Sequence, residues 1–320
     1  MRAEPGEICA YRCRICRGNL VAKFTRFNFR FARCDACGCL QKLLTPDEYA
    51  ELDITYDPGN LFDDINKDDI RKLFEIEKKK RFLESKAGGG AHAVLRFLDI
   101  GCGQGEYLLA AKELGWDCAG IEPSPEHSEV GRRVFGLNIM TGYFESGRLG
   151  GAKFDVVLFS HVIEHLYDPG AFLDDVMKIL APAGRIIIVT PNTASFVARM
   201  TGKYWPMLKP PDHVTMMTPA AFKILAGNDL ACEIRTSEFV WEPLATIIQC
   251  LRDFMKERIL TRTDAATLGA PVRIRIQLKR KKLWLFLRIL SVFSLPLHLA
   301  GAAMNREACL VVVARRLRVE

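Results

Sequence analysis

The middle of the chain alternates short apolar runs with amphipathic segments. Residues 94–100 (VLRFLDI) form an apolar run that predicts a buried strand, and residues 104–114 (QGEYLLAAKEL) have the spacing of a helix. Gly101, Gly103 and Gly105 stand where the two meet. Glycines supply positive φ angles and let a ligand approach the backbone without Cβ collisions. The pattern therefore predicts a parallel strand that turns sharply into a helix around a nucleotide-like ligand.

Acidic residues around this turn indicate the kind of ligand. The spacing is GxGxG, because Glu106 stands where a dinucleotide fingerprint has its third glycine, and Asp99 comes just before the first glycine. A carboxylate there would repel a pyrophosphate and suits the sulfonium and ammonium groups of S-adenosylmethionine (SAM). The next apolar segment, WDCAGIEPS, contains Glu122, at the distance where a carboxylate accepts hydrogen bonds from ribose hydroxyls. The alternatives are a tight turn without a ligand and, for Glu122, a solvated carboxylate at a helix N-terminus.

Four segments extend this pattern along the chain. LDIGCGQGEY, GIEPS, FDVVLFSHVIEHLYDP and LAPAGRIIIVTPN resemble, in order and spacing, the motifs of class I SAM-dependent methyltransferases over residues 93–240. The resemblance implies an α/β fold with a doubly wound, Rossmann-like sheet of seven strands, the last antiparallel, and SAM across the carboxyl ends of the first strands. It also implies a set of cofactor-binding residues, with residues 143–145 at the adenine edge. These are Asp99, Gly101, Cys102, Gly103, Gly105, Glu122, Phe144 and Ser160.

Four cysteines near the N-terminus form two CxxC pairs. Cys13 and Cys16 stand in CRICRG and Cys34 and Cys37 in CDACG, so a glycine follows each pair as in zinc knuckles. Four thiolates complete a closed tetrahedral site with no position for water. We therefore expect a structural zinc ribbon over residues 1–45 that takes no part in chemistry. Four unrelated buried cysteines are the alternative.

The segment between the two knuckles carries both aromatic and basic residues. Residues 21–34 (VAKFTRFNFRFARC) alternate apolar and polar positions, which predicts a half-buried strand or hairpin. Arg26, Arg30 and Arg33 stand among the aromatics, and the net charge of +7 would also suit RNA. A ribbon this small needs its phenylalanines for its own core. We therefore favour packing over nucleic-acid binding.

Histidines follow the apolar strand FDVVLF. In SHVIEHLYDP, His161 and His165 are four residues apart and Glu164 is adjacent, so a helical turn would place both histidines on one face. The loop is similar to that of ubiquinone-biosynthesis O-methyltransferases, and the similarity implies activation of a hydroxyl, directly or through a divalent cation. Orientation of the loop is the structural alternative. His213, in PPDHVTMMTP, is a second candidate base on a predicted substrate lid; its alternative is a loop histidine bonded to the backbone.

The remaining segments complete the predicted organisation. Residues 46–92 are expected to be a helical connecting arm and linker, residues 241–305 a helical, basic and amphipathic insertion, and residues 306–320 the last core strand. Within the insertion, residues 273–298 combine a basic run with an amphipathic helix pattern. That segment predicts peripheral contact with an anionic membrane surface, or a helix that covers the sheet edge or a dimer seam.

Cysteine usage and the first residues bear on the compartment. The chain has eleven cysteines, and MRAEPGEICA has no apolar core of a secretory leader, so we expect reduced thiols and a cytoplasmic protein.

Together, the patterns predict a zinc-ribbon methyltransferase that methylates an oxygen of a sugar, a lipid-linked or another small acceptor. The alternatives are an RNA methyltransferase, with the ribbon and the basic segment as its RNA surface, and a non-catalytic SAM-binding scaffold.

Overall fold

The chain folds into two β-sheets with helices packed against the larger one. The computed structural model describes residues 6, 8–26, 28–52, 75–88, 94–208, 212–237 and 307–317. In chain order, the strands are β1 (Ile8–Arg12), β2 (Asn19–Arg26), β3 (Phe29–Cys34), β4 (Leu40–Lys42), β5 (Arg96–Ile100), β6 (Asp117–Glu122), β7 (Ile139–Thr141), β8 (Phe154–Ser160), β9 (Leu180–Pro191), β10 (Thr215–Met216), β11 (Leu230–Ser237) and β12 (Cys309–Arg316). The α-helices are α1 (Pro46–Ala50), α2 (Ile76–Ala87), α3 (Glu106–Glu113), α4 (Pro125–Phe135), α5 (Pro169–Ile179), α6 (Phe196–Thr201) and α7 (Pro219–Ala226).

The larger sheet has seven strands in the spatial order β11-β12-β9-β8-β5-β6-β7. The five strands from β9 to β7 pair in parallel, whereas β12 pairs antiparallel with both β9 and β11. The central strands read as continuous apolar runs because helices cover both of their faces. The expected doubly wound sheet with a reversed last strand is confirmed.

Local sequence explains where the helices begin. Ser124, Asp168 and Thr218 each precede a proline and accept hydrogen bonds from backbone N–H groups of the first turn, as N-caps do. Helix α3 begins at Glu106, two residues later than the predicted start, because the preceding residues form the glycine turn. Helix α2 packs against α3, with an ion pair of 2.8 Å between Lys79 Nζ and Glu106 Oε2.

The smaller sheet joins the N-terminal ribbon to the core. Its order is β1-β2-β3-β4-β10, and β10 comes from the region after β9, so Thr215 and Met216 pair with Gln41 and Leu40. The predicted hairpin is present as β2 and β3. Arg26, which the sequence offered as an RNA contact, donates from Nη1 to the backbone oxygens of Lys203 and Trp205, at 2.6 and 3.1 Å. The ribbon and the core therefore share a sheet instead of standing as separate lobes.

Parts of the predicted organisation lie outside the described residues. These are residues 53–74 of the connecting arm, the linker at 89–92 and the insertion at 241–305 with its membrane-contact segment 273–298. The domain boundaries given above stay predictions. Within the described part of the chain, no helix has the length and apolar character needed to cross a membrane.

Candidate active site

The glycine turn lies at the carboxyl end of β5. Gly101, Gly103 and Gly105 have φ angles of 72°, 55° and 94°, a region that L side chains rarely adopt. A Cβ on Gly101 would lie 2.5 Å from Val162 Cγ2, so glycine is required there for close packing. A Cβ on Gly103 would meet nothing within 4 Å, so its backbone faces open space. The turn thus presents bare backbone to open space at Gly103, where a ligand could approach.

Two buried carboxyl groups flank this turn. Glu122, at the end of β6, accepts hydrogen bonds from Gly103 N at 2.7 Å and from Ser124 N at 2.9 Å, and so ties the glycine turn to the next strand. Asp99 is 2% exposed. Burial, and then the charges of Glu122 and Glu106, raise the pKa of Asp99 well above its usual value. Acidic groups held this close together suit a positively charged ligand.

The other predicted cofactor contacts lie along the same edge of the sheet. Ser160 ends β8, and Phe144 follows β7, where its ring contacts Phe172 edge-on at a centroid distance of 5.5 Å. Cys102 is buried in the glycine turn, and burial raises the pKa of its thiol well above the usual value. A neutral thiol is a poor nucleophile, which favours packing over reaction. The roles of these residues stay predictions.

Glu164 lies at the centre of a second cluster, after β8. Its carboxylate contacts His161 Nδ1 at 3.0 Å and accepts a hydrogen bond from Thr190 Oγ1 at 2.9 Å. Burial alone would raise the pKa of Glu164, but the hydrogen bond with His161 and the nearby histidine charges lower it to about 2. Glu164 is therefore an anion at neutral pH.

The expected shared helical face of His161 and His165 is wrong. His161 adopts a left-handed backbone with φ of 56°, and a short 3-10 turn begins only at Ile163 and ends at His165. The left-handed residue instead turns His161 back toward Glu164, which keeps the two side chains in contact. His161 Nε2 and His165 Nδ1 are buried and have no hydrogen-bond partner among the described residues.

His213 belongs to this cluster and is not on a surface lid as the sequence suggested. It is 4% exposed, and its ring meets that of His165 at a right angle, with 4.7 Å between centroids. Its Nδ1 lies 2.5 Å from the backbone oxygen of Met207. This is the backbone hydrogen bond expected if His213 is a loop histidine with a structural role. Burial lowers the pKa of His213 to about 3, so its ring is neutral and its Nε2 keeps a lone pair. The ligand atoms of Glu164, His165 and His213 lie within 4.8 Å of one another, as a cation site requires.

Comparison with known proteins identifies the family of this chain. A family model described as a methyltransferase domain matches residues 61–228, more than half of the chain. The chain belongs to this methyltransferase family. It is similar to the ubiquinone biosynthesis O-methyltransferase of Cereibacter sphaeroides, with 36% identity over 120 residues, which cover 35% of this chain and 49% of that protein. The protein of the same name from Parvibaculum lavamentivorans is 31% identical over 147 residues, with coverages of 43% and 57%.

The chain thus spans about half the length of the curated relatives it matches. Among solved structures, it is similar to an S-adenosylmethionine dependent methyltransferase from Mesorhizobium loti, with 15% identity and a TM-score of 0.45 over 75% of this chain and 100% of that one. The family and the sheet topology together confirm the expected class I methyltransferase.

Arg14, a residue of the ribbon, contacts segments on both sides of the candidate active site. The Arg14 guanidinium donates to Lys42 O at 2.6 Å and to Thr215 Oγ1 at 3.1 Å, and it lies 4.3 Å from the centre of the Tyr167 ring. It therefore joins β4, the segment next to His213 and the loop that follows His165. Sequence reasoning missed Arg14, because an arginine between two knuckle cysteines carries no pattern of its own.

The four knuckle cysteines of the methyltransferase come together as the sequence expected. Cys13 Sγ and Cys37 Sγ are 3.6 Å apart, and Cys16 Sγ and Cys34 Sγ are 3.3 Å apart. All four sulfur atoms lie within 4.8 Å of one another, which suits four thiolates around one tetrahedral zinc. Cys39 is also buried, and the Gln41 amide nitrogen lies 3.4 Å from its sulfur and from that of Cys13. The donor set therefore fits zinc.

Proposed function

We propose that this methyltransferase transfers the methyl group of SAM to an oxygen of a sugar, a lipid-linked or another small acceptor. One observation carries the proposal: the acidic glycine turn and the Glu164–His165–His213 cluster stand at neighbouring strand ends of the same sheet edge. The first suits a cationic cofactor, and the second suits proton removal from a hydroxyl. The curated relatives, whose names describe O-methyltransferases, support oxygen as the acceptor atom.

Each group has a distinct part in this reaction. When bound, SAM supplies an electrophilic methyl group that an oxygen displaces in line. Asp99 and Glu122 hold the cationic end and the ribose. His165 Nδ1, buried and without a hydrogen-bond partner among the described residues, accepts the proton of the acceptor hydroxyl, and the Glu164 anion stabilises the imidazolium that results. His213, neutral and bonded through Nδ1, orients the His165 ring.

The same cluster would also fit a divalent cation. Glu164, His165 and His213 would then be its ligands, and a bound cation lowers the pKa of a coordinated hydroxyl. In the ribbon, Cys13, Cys16, Cys34 and Cys37 would hold a structural zinc, which has no open position for a substrate.

Methyl transfer from labelled SAM to phenols, sugars and polyprenyl-linked sugars tests the function. Replacement of His165 with Asn should lower kcat about 100- to 10,000-fold, the usual contribution of general acid–base catalysis, and leave SAM affinity unchanged. The matched control is His127→Asn, on α4. A chelator that abolishes transfer, with recovery on addition of Mg²⁺, would identify the cation route.

Two results would overturn the proposal. Tight SAM binding with no transfer to any hydroxyl would favour the scaffold alternative. Transfer to RNA, with an affinity for RNA that falls steeply with salt, would favour the RNA methyltransferase alternative.

A further inference from the structure

A tyrosine from outside the large sheet reaches the loop that carries the candidate base. Tyr49 lies on α1, and its hydroxyl donates a hydrogen bond to the backbone oxygen of His165 at 3.0 Å. The two residues are 116 positions apart in the chain, so the tertiary fold alone brings them together. A side chain of the connecting arm thus holds the peptide group of a candidate catalytic residue.

Helix α1 is a short, rigid turn that presents this side chain. The Thr45 hydroxyl accepts a hydrogen bond from Glu48 N at 3.1 Å, and Glu48 Oε2 accepts one from Thr45 N at 2.7 Å, which closes a capping box. All five residues of α1 are described, and none of them is buried. Because helices gain most of their stability from packing, the position of α1 depends on the few contacts that Tyr49 makes.

The ring of Tyr49 has a contact of its own. It packs against the ring of Tyr167 with 5.3 Å between centroids, and the Arg14 guanidinium lies 4.3 Å from the centre of the same Tyr167 ring. A phenylalanine at position 49 would keep this ring contact and would hold α1 in place equally well. Packing therefore explains the ring of Tyr49 and leaves its hydroxyl to be explained.

The hydroxyl lies between two peptide groups of the loop. Burial raises the pKa of Tyr49 and outweighs the nearby backbone N–H of Tyr167, which lowers it, so the hydroxyl is protonated and donates at neutral pH. It donates to the carbonyl of His165, on one side of Leu166, and faces the N–H of Tyr167 on the other side. One hydroxyl thus restrains the backbone on both sides of Leu166.

The imidazole of His165 depends on this backbone for its direction. Its Nδ1 is buried and has no hydrogen-bond partner among the described residues, and its ring meets the ring of His213 edge-on. Two consecutive carbonyls of the loop are held from other segments: Glu164 O accepts from Val214 N at 2.8 Å, and His165 O accepts from Tyr49. Hydrogen bonds are directional, so these two fix the backbone from which the imidazole projects.

We infer that Tyr49 is a positioning residue for proton removal, because its hydroxyl fixes the peptide group of His165 and so directs the imidazole toward the acceptor hydroxyl. The inference rests on the proposed function, since it takes His165 as the proton acceptor. Tyr49 acts through His165 and takes no proton itself. A displacement of about 1 Å in a reacting group lowers a rate about 100-fold, so a single backbone hydrogen bond at this position affects kcat.

Tyr49→Phe tests the hydroxyl, because it keeps the ring contact with Tyr167. With the acceptor that the wild type methylates fastest, kcat should fall about 3- to 10-fold, the usual effect of one lost hydrogen bond, at unchanged SAM affinity. The solvent deuterium isotope effect on kcat should increase, since a misdirected base makes proton removal limit the rate more strongly. Tyr11→Phe removes a hydroxyl from a half-buried position of β1 and should keep the wild-type kcat.

Amide hydrogen exchange on the full chain, without SAM or acceptor, gives an independent readout. Exchange of residues 165–167 should become faster in Tyr49→Phe and stay unchanged in Tyr11→Phe, because only the first variant releases the loop backbone. Tyr49→Ala, which also loses the ring contact, should lower the Tm more than Tyr49→Phe does.

The outcomes separate this inference from the proposed function. Wild-type kcat and isotope effect in Tyr49→Phe, with a loss only in Tyr49→Ala, would show that Tyr49 acts through its ring and would overturn the inference. Unchanged exchange of residues 165–167 in Tyr49→Phe would overturn it as well. Faster exchange in a protein that methylates no hydroxyl would count against the proposed function and not against the restraint that Tyr49 places on the loop.

Discussion

SAM binding should release a proton from Asp99. This carboxyl group is buried at the carboxyl end of β5, and burial, followed by the charges of Glu122 and Glu106, raises its pKa, which Lys79 only partly offsets. A cationic ligand favours the ionised carboxylate. Below the pKa that Asp99 has in the free protein, binding must therefore expel a proton, and SAM affinity should rise about tenfold per pH unit before it levels off.

The same pKa shift predicts the sign of a stability effect. A carboxyl group whose pKa is raised by folding contributes stability that is fully present below its unfolded pKa, about 3.9 for Asp. That contribution is lost as the pH rises through the folded pKa. Without SAM, Asp99→Asn should therefore be more stable than the wild type at neutral pH. The same variant should bind SAM more weakly than the wild type. The loss of a charged hydrogen bond, worth about 1.5–3 kcal/mol, weakens binding about 10- to 150-fold.

Titration calorimetry with SAM over a pH series, in two buffers of different ionisation enthalpy, measures the released proton. The observed enthalpies should differ between the buffers for the wild type and coincide for Asp99→Asn. Asp117→Asn, an exposed carboxyl group at the start of β6, is the matched control and should behave as the wild type. Equal enthalpies in both buffers for the wild type would refute the reasoning, as would an unchanged pH dependence in Asp99→Asn.

Two further predictions concern the ribbon. Metal analysis should return one zinc per chain, and a Cys13→Ser, Cys34→Ser double variant should lose it while it still binds SAM; full zinc content in that variant would contradict the ligand assignment. Arg14→Lys keeps the charge but not the planar fork of donors, so kcat should fall about 10- to 100-fold at unchanged SAM affinity. Amide hydrogen exchange of residues 213–216 should become faster in this variant, and unchanged exchange would show that Arg14 does not position the segment.

Local patterns predicted those parts of the molecule that local physics determines. The apolar run before Gly101 and the glycines after it require a buried strand and a sharp turn, whatever the rest of the chain does. The two CxxC pairs likewise bring thiolates together through short turns. The helix predicted from residue 104 begins two residues later, at Glu106, because the glycine turn extends to Gly105.

Local sequence patterns did not predict the features that depend on contacts between distant parts of the chain. Strand β10 has only two residues, Thr215 and Met216, and it exists because the edge of β4 is there to pair with. The left-handed backbone of His161 is held by its contact with Glu164, so a helical spacing rule placed its side chain on the wrong face. Both errors concern residues whose conformation is set by tertiary contacts that follow no periodic pattern.

The ribbon and the acceptor side of the site are connected by one short segment, residues 213–218. The Val214 N–H donates to Glu164 O at 2.8 Å, and Val214 O accepts from Lys42 N at 2.9 Å, so one residue bridges the candidate catalytic loop and β4. A buried backbone group that loses its partner costs about 1–3 kcal/mol. Displacement of the ribbon would therefore break several such bonds together and release His213 from His165. On this reasoning a zinc ion held by the four knuckle cysteines would fix the position of the candidate catalytic residues.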